Sequence, residues 1–197
     1  MNLKKRLVLA SQSPRRKVLF QQLGVAFDVK ESYIDEIFDL SQSPEQNVKQ
    51  LSYQKASAVA ETVDNAIVVG ADTIVVLNGK ILGKPVDSND AIAMLKLLSG
   101  KTHEVYTGFC LIDRPTNKQY SDVEVTKVTF RNLGADEIQK YVAGGSPLDK
   151  AGAYGIKDDY GAVFVEKIDG CFYNVVGFPL TKFYLAMEQF QKQLQFN

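Results

Sequence analysis

The chain has 197 residues, with Lys plus Arg at 23 and Asp plus Glu at 23, so its net charge is zero and no whole-molecule field recruits nucleic acid or a membrane surface. Hydrophobic residues at 45% and charged residues at 23% exclude a disordered chain, and no apolar run approaches the roughly 20 residues of a spanning helix. One histidine, His103, and two distant cysteines, Cys110 and Cys171, exclude a Cys-rich zinc site, so any metal is expected to be oxygen-ligated and Mg²⁺-like.

One domain is expected at this length. The opening Met1 to Arg6 lacks the apolar stretch of a signal peptide, which predicts a cytoplasmic protein with both cysteines reduced and packed. Leu7–Ala10 reads as a short buried strand, Ser11–Ser13 as a turn and Pro14–Leu23 as a helix, with Ser13 suited to the N-cap, Pro14 to the first helical position and Gly24 to the C′ position. A strand over Val25–Tyr33 follows, then a loop, then a helix opening at Ser43, where Pro44 and Gln46 complete a capping-box pattern. Ala66–Leu77 is a nearly continuous apolar run rich in Ile and Val, as in a strand buried on both faces, and Asn78-Gly79 marks a type I′ turn returning through Lys80–Lys84. A helix over Ser88–Leu98 leads to strands over Thr102–Asp113 and Gln119–Phe130, the second alternating as if one face were solvated. The remainder reads as a helix near Ala135–Val142, a hinge or loop at Gly144-Gly145-Ser146-Pro147, strands near Ala162–Lys167 and Phe172–Val176, and a C-terminal helix from about Pro179.

Several residues sit where structure alone does not ask for them. Asp72 interrupts the buried run Ile67 to Val76, and an ionised carboxylate there needs cations, metal or hydrogen bonds; it is read as functional, against a structural salt bridge to Arg or Lys. Gly70 and Ala71 beside it leave the backbone open to a bulky ligand. Lys55 falls at helical spacing inside the stripe of Val48, Leu51, Val59 and Thr62, so it points inward, either to snorkel or to bind an anion. Lys84 ends the hairpin opposite Thr73, and meeting Asp72 requires a bulge near Gly83 or a strand end. Arg15 and Arg16 occupy the first turn of a helix, against its dipole; with the Ser11-Gln12-Ser13 turn and free N–H groups they form a phosphate cradle, or else a solvated pair. Glu36 follows a predicted strand end and offers a metal-ligating oxygen. Ser99-Gly100-Lys101-Thr102 has the tail of a P-loop but lacks its first glycine, since Leu95 stands there, and His103 reads as structural.

Leu9-Ala10-Ser11-Gln12-Ser13-Pro14-Arg15-Arg16, Gly70-Ala71-Asp72-Thr73 with Gly83-Lys84-Pro85, Ser99 to His103, Asp149-Lys150-Ala151-Gly152-Ala153-Tyr154-Gly155-Ile156, Ile168-Asp169-Gly170 and Val176 to Leu180, in that order, resemble the Maf family of nucleoside triphosphate pyrophosphatases. The resemblance implies an elongated two-lobed α/β mixed-sheet fold of the inosine triphosphate pyrophosphatase type, one domain over residues 1–197 with a central cleft. It also implies hydrolysis of a nucleoside triphosphate to the monophosphate and pyrophosphate, with a divalent metal, Mg²⁺ or Mn²⁺. By position Asp72 would be the proton acceptor and a metal contact, Glu36 a metal or water ligand, and Ser11, Arg15, Arg16, Lys55 and Lys84 the triphosphate contacts. Arg16, Thr73 and Asp149 to Gly152 resemble the branch acting on dTTP and UTP. Where that branch carries Gln, this chain has Lys157, which only donates, so Lys157 either reads a different base or pairs with Asp158 or Asp159. Two alternatives follow: a pyrophosphatase preferring a purine or methylated nucleotide, and a nucleotide-binding regulator of cell division. By family analogy a homodimer is expected.

Overall fold

Arg6–Ala10 forms β1, which buries Leu7 to Ala10 and has a parallel partner on each side, β2 (Asp28–Lys30) and β3 (Ala66–Leu77). The register pairs Ala10 with Lys30 on one side and with Gly70 on the other, so β1 and β2 end together while β3 runs on beyond them to Leu77. Parallel strands require crossovers, and α1 (Pro14–Gln22) and α2 (Pro44–Ala60) supply them. Both helices start as their sequences dictate: the Ser13 side chain accepts from Arg16 N with Pro14 in the first turn, and Ser43 and Gln46 exchange the two bonds of a capping box. The structure, a computed structural model, describes residues 3–157 and 160–195, the side chain of Ser146 left aside.

β3 turns at Asn78-Gly79, both at positive φ (52° and 78°), into the antiparallel β4 (Lys80–Leu82). Then come α3 (Ser88–Leu98), β5 (Thr102–Asp113), β6 (Gln119–Phe130) and α4 (Ala135–Ala143), close to the expected bounds. The mixed sheet runs β2-β1-β3-β5-β6-β7, with β4 beside β3 and β7 (Val165–Asp169) antiparallel to β6. An α/β mixed-sheet architecture, as expected, thus carries the chain to its last helices, α5 (Phe172–Val176) and α6 (Leu180–Gln195).

Three expected strands differ. Val25–Tyr33 shortens to β2, because β1 offers partners only for Asp28 to Lys30 and the chain beyond leaves the sheet. Ala162–Lys167 is a 3₁₀ turn (Tyr160–Phe164) followed by β7. Phe172–Val176 is helical: Asn174 and Val176 are buried, and Asn174 Nδ2 donates to Val105 O and Thr126 Oγ1, a tie that a run of five residues does not announce.

The described residues divide into two compact units, the first of residues 3–72, 107–124 and 177–195, the second of residues 73–106, 125–157 and 160–176. In the first, Ala56, Val59 and Ala60 of α2 pack on Val8, Ala10, Val68 and Cys110, while Phe20, Phe109, Phe178 and Phe183 cluster with ring centroids 4.7 to 6.0 Å apart. In the second, Leu82, Leu95, Leu98, Val128, Phe130, Ile138 and Phe164 form the core. His103 lies inside that core, sharing a 2.7 Å hydrogen bond between Nε2 and the Tyr154 hydroxyl and standing edge-on to Phe130, the packed histidine its sequence context suggests. Ser99 and Gly100 form a structural turn: Gly100 N donates to Arg131 O, and Ser99 Oγ accepts from Leu133 N. Gly144 and Gly145 close α4 as a loop, Gly145 at φ 75°.

Candidate active site

The carboxyl ends of parallel strands are where an α/β fold releases its chain into loops and leaves room for a ligand. In the first unit, β1 there delivers Ser11 and the start of α1, β2 delivers the irregular segment that carries Glu36, and β3 continues past Gly70 to Asp72. Asp72 is 4% exposed, and its Oδ1 accepts from Lys55 Nζ at 2.6 Å. The same ammonium donates to Glu36 Oε1 at 2.7 Å, so one buried cation joins two carboxylates from different segments.

Lys55 reaches that position because α2 buries the face bearing Asn47, Val48, Leu51, Ser52, Lys55, Ala56 and Val59. Its ammonium does not snorkel to water but turns inward to two carboxylates. A structural pairing of Asp72 with lysine, the bland reading of that residue, is therefore present. The helix sits close on the sheet: a Cβ on Gly70 would lie 2.2 Å from Ser52 O, and one on Gly108 of β5 2.5 Å from Val48 O. Gly70 thus admits helix α2 rather than a bulky ligand, which corrects the expectation for that glycine, and Ala71 is fully buried.

Arg15 and Arg16 part company. Arg16 is buried, its Nε donates to Gly177 O at 3.0 Å, and Arg15 is half-buried. Burial pulls the Arg16 guanidinium below its ordinary value and the Arg15 charge pulls the same way, while the negative charges of Asp72 and Glu36 oppose both. Arg16 therefore shares the electrostatic neighbourhood of the Asp72–Lys55–Glu36 cluster. Ser11, also buried, accepts from Ser13 N at 3.1 Å and orders the turn that leads into α1. Convergent cations, a helix N-terminus and two carboxylates are the groups that bind a polyanion and act on water beside it.

The donor set also bears on a metal. Among the described residues no group of three or more His, Cys, Asp or Glu could hold an ion. Asp72 and Glu36 already converge on one cation, and two carboxylates completed by substrate phosphates and water suit Mg²⁺ or Mn²⁺.

The remaining predicted site residues belong to the second unit. Thr73 is half-buried on β3. The β3–β4 ladder pairs Val75 with Leu82 and stops there, the strand end that the sequence reading required, and Lys84 is exposed in the bend that follows. Gly83 O accepts from Gly152 N at 3.0 Å, and Gly152, at φ 67°, rests on the Val75 side chain, so the Asp149 to Ala153 stretch backs onto this hairpin. Lys157 is half-buried; Asp158 and Asp159, its suggested partners, lie outside the described residues. Sequence reasoning missed the Gly177 carbonyl that anchors Arg16, which carries no side-chain signal. It also missed Asn47, whose place in the buried stripe of α2 was legible.

The Maf-like protein family matches residues 6–190. A dTTP/UTP pyrophosphatase of Bacillus pumilus is 47% identical over 93% of this chain and 96% of that protein, and one of Alkaliphilus oremlandii is 50% identical over 90% and 92%. One of Caldicellulosiruptor bescii is 44% identical over 94% of each. A solved HAM1 protein from Coxiella burnetii is similar over 76% of this chain and 86% of that one, at 16% identity and a TM-score of 0.42, a likeness that carries no argument. With the family matched over nearly its whole length, the chain belongs to the Maf-like proteins.

Proposed function

We propose that the chain is a pyrophosphatase that hydrolyses dTTP and UTP, cleaving the anhydride between the α and β phosphates to leave the monophosphate and pyrophosphate. The observation that carries it is the Asp72–Lys55–Glu36 cluster, with Asp72 and Lys55 buried and Glu36 reaching them from the exposed side, beside the ends of β1 and β2, the N-terminus of α1 and the buried Arg16. The relatives' names supply the substrates.

In this reading Asp72 takes the proton of the attacking water, and Arg15, Arg16, Ser11 and the N–H groups opening α1 receive the triphosphate. Lys55 offsets part of the charge of the two carboxylates and holds a cation where the reaction gathers negative charge. Asp72 and Glu36 would hold a divalent metal, which would supply Lewis-acid stabilisation of that charge. Thr73, Lys84 and Lys157 are carried as nucleotide contacts on the family resemblance, each tested by its own alanine variant. The homodimer rests on the same analogy, and a monomeric mass by light scattering removes it.

The test is pyrophosphate release from dTTP and UTP with Mn²⁺ present, then with EDTA in excess. Release that stops with EDTA and returns with Mn²⁺ supports both reaction and metal; release unaffected by EDTA rejects the metal and leaves the hydrolysis standing. Lys157 favours one second reading, a different base preference, and a panel that turns over purine or methylated triphosphates faster than dTTP and UTP would establish it.

A further inference from the structure

Between β2 and α2 the chain runs through an irregular segment, residues 31–42, that carries Glu36 and exposes Tyr33 (81%), Ile37 (77%) and Leu40 (86%). Ser32 is buried and Ile34 and Phe38 are half-buried, so apolar contact holds the segment only at intervals, and the polar bonds it makes set the rest of its path. Two side chains of α2 grip it. Lys55 takes the Glu36 carboxylate, and eight residues earlier, about 12 Å along the helix axis, Asn47 takes the backbone at Asp39.

Asn47 is 2% exposed and uses both ends of its amide: Oδ1 accepts from Asp39 N at 2.8 Å, while Nδ2 donates to Asp39 O at 2.9 Å, Ser43 O at 3.1 Å and Gln42 O at 3.4 Å. The paired bonds to both polar atoms of one peptide residue copy a strand ladder at a point that has no strand. An amide is the only side-chain group of this size that can donate and accept so, whereas a carboxylate only accepts. A buried asparagine this fully used is not needed for the helix, whose N-terminus Ser43 and Gln46 already cap.

We propose that Asn47 is a positioning residue for Glu36: it fixes the segment three residues beyond Glu36, so that the carboxylate arrives beside Lys55 and Asp72 in one geometry. This rests on the reading of Glu36 as part of the active site, and it assigns Asn47 no contact with substrate. Groups bonded directly to a ligating side chain change activity about 10- to 100-fold when removed, and the same span is expected of Asn47, which acts through the backbone at Asp39.

The experiment is a double-mutant cycle on kcat/KM for dTTP with Mn²⁺, using Asn47→Ala and Asn47→Asp, each with and without Glu36→Ala. Hydrogen exchange of the amides at 36–41 is followed in the substrate-free proteins. Asn47→Ala is expected to lose about 10- to 100-fold in activity, with faster exchange in that stretch, and to lose almost nothing further once Glu36 is alanine. Asn47→Asp, which keeps shape and acceptor but not the donors, gives a smaller loss in the same sense and stands in if Asn47→Ala does not fold. An equal fractional loss in both backgrounds, or no loss with Glu36 present, overturns the proposal while leaving the active site as read. Full activity in Glu36→Ala alone overturns the reading of Glu36 first, and the role of Asn47 with it.

Discussion

Two carboxylates of the first unit are almost wholly buried and each lies 2.6 Å from a lysine: Asp72 on Lys55 and Asp113 on Lys5. What separates them is the company they keep. Asp113 completes its set with the Thr116 hydroxyl at 2.6 Å and closes the turn between β5 and β6, whereas the lysine of Asp72 is shared with Glu36 and a buried arginine stands by. Asp113→Asn is therefore expected to lower the urea midpoint and leave turnover of dTTP unchanged. Asp72→Asn should lower kcat by about 10²- to 10⁴-fold, the span of a lost proton acceptor. Removing the shared cation acts on stability as well as on the reaction, because a buried carboxylate left without its partner is costly: Lys55→Met should lose about 3 to 5 kcal/mol of unfolding free energy in urea. Asp72 was legible because it breaks an apolar run, and Lys55 because it breaks an apolar stripe. Their meeting was not, because it depends on which helix face lands on which strand.

At the scale of elements, α2 is the piece on which the site is hung, since it offers Lys55 and Asn47 from one face while Gly70 and Gly108 let it approach β3 and β5. Gly70→Ala places a Cβ against backbone atoms of Ser52 and Ala56 that cannot rotate away. It should lower thermal stability and depress turnover together, whereas Gly79→Ala, with open space around it, strains its own turn and leaves the site alone. In the second unit the core histidine makes a pH test. Burial lowers His103 to about 4 from an ordinary 6.5, and its Nδ1 has no partner among the described residues to welcome a proton. The unfolded chain thus protonates first as pH falls, so the contribution of neutral His103 is whole above pH 6.5 and is lost between pH 6.5 and about 4. That loss, about 3 kcal/mol, should be missing from the stability curve of His103→Gln when the variant is unfolded in urea across the same range, and so should appear in its difference from the parent chain. The elements themselves were read well where periodicity ran long, as in β3, β5 and β6. They were read poorly at Phe172–Val176, where five residues suit either period, and over residues 25–33, where only Asp28 to Lys30 pair with β1.

At the scale of the molecule, a net charge of zero leaves anion recognition to local groups: Lys55 and Arg16 in the interior, Arg15 at its edge. The rate on a triphosphate should therefore fall only gently with added salt, since buried charges are screened less than surface ones. No helix among the described residues is long and apolar enough to cross a membrane. Family membership was legible in ordered motifs spread along the chain, whereas the hold of Asn47 on Asp39 and of Gly177 on Arg16 rests on backbone atoms, which motifs do not name. The most direct measurement is pyrophosphate release from dTTP and UTP by the purified chain with Mn²⁺, set against Asp72→Asn. Release from both nucleotides that falls by at least about 10²-fold in the variant, with the fold intact by circular dichroism, is the predicted result. Equal release by the two proteins, or none from any triphosphate by the unsubstituted chain, would contradict the assignment of this cluster as the active site.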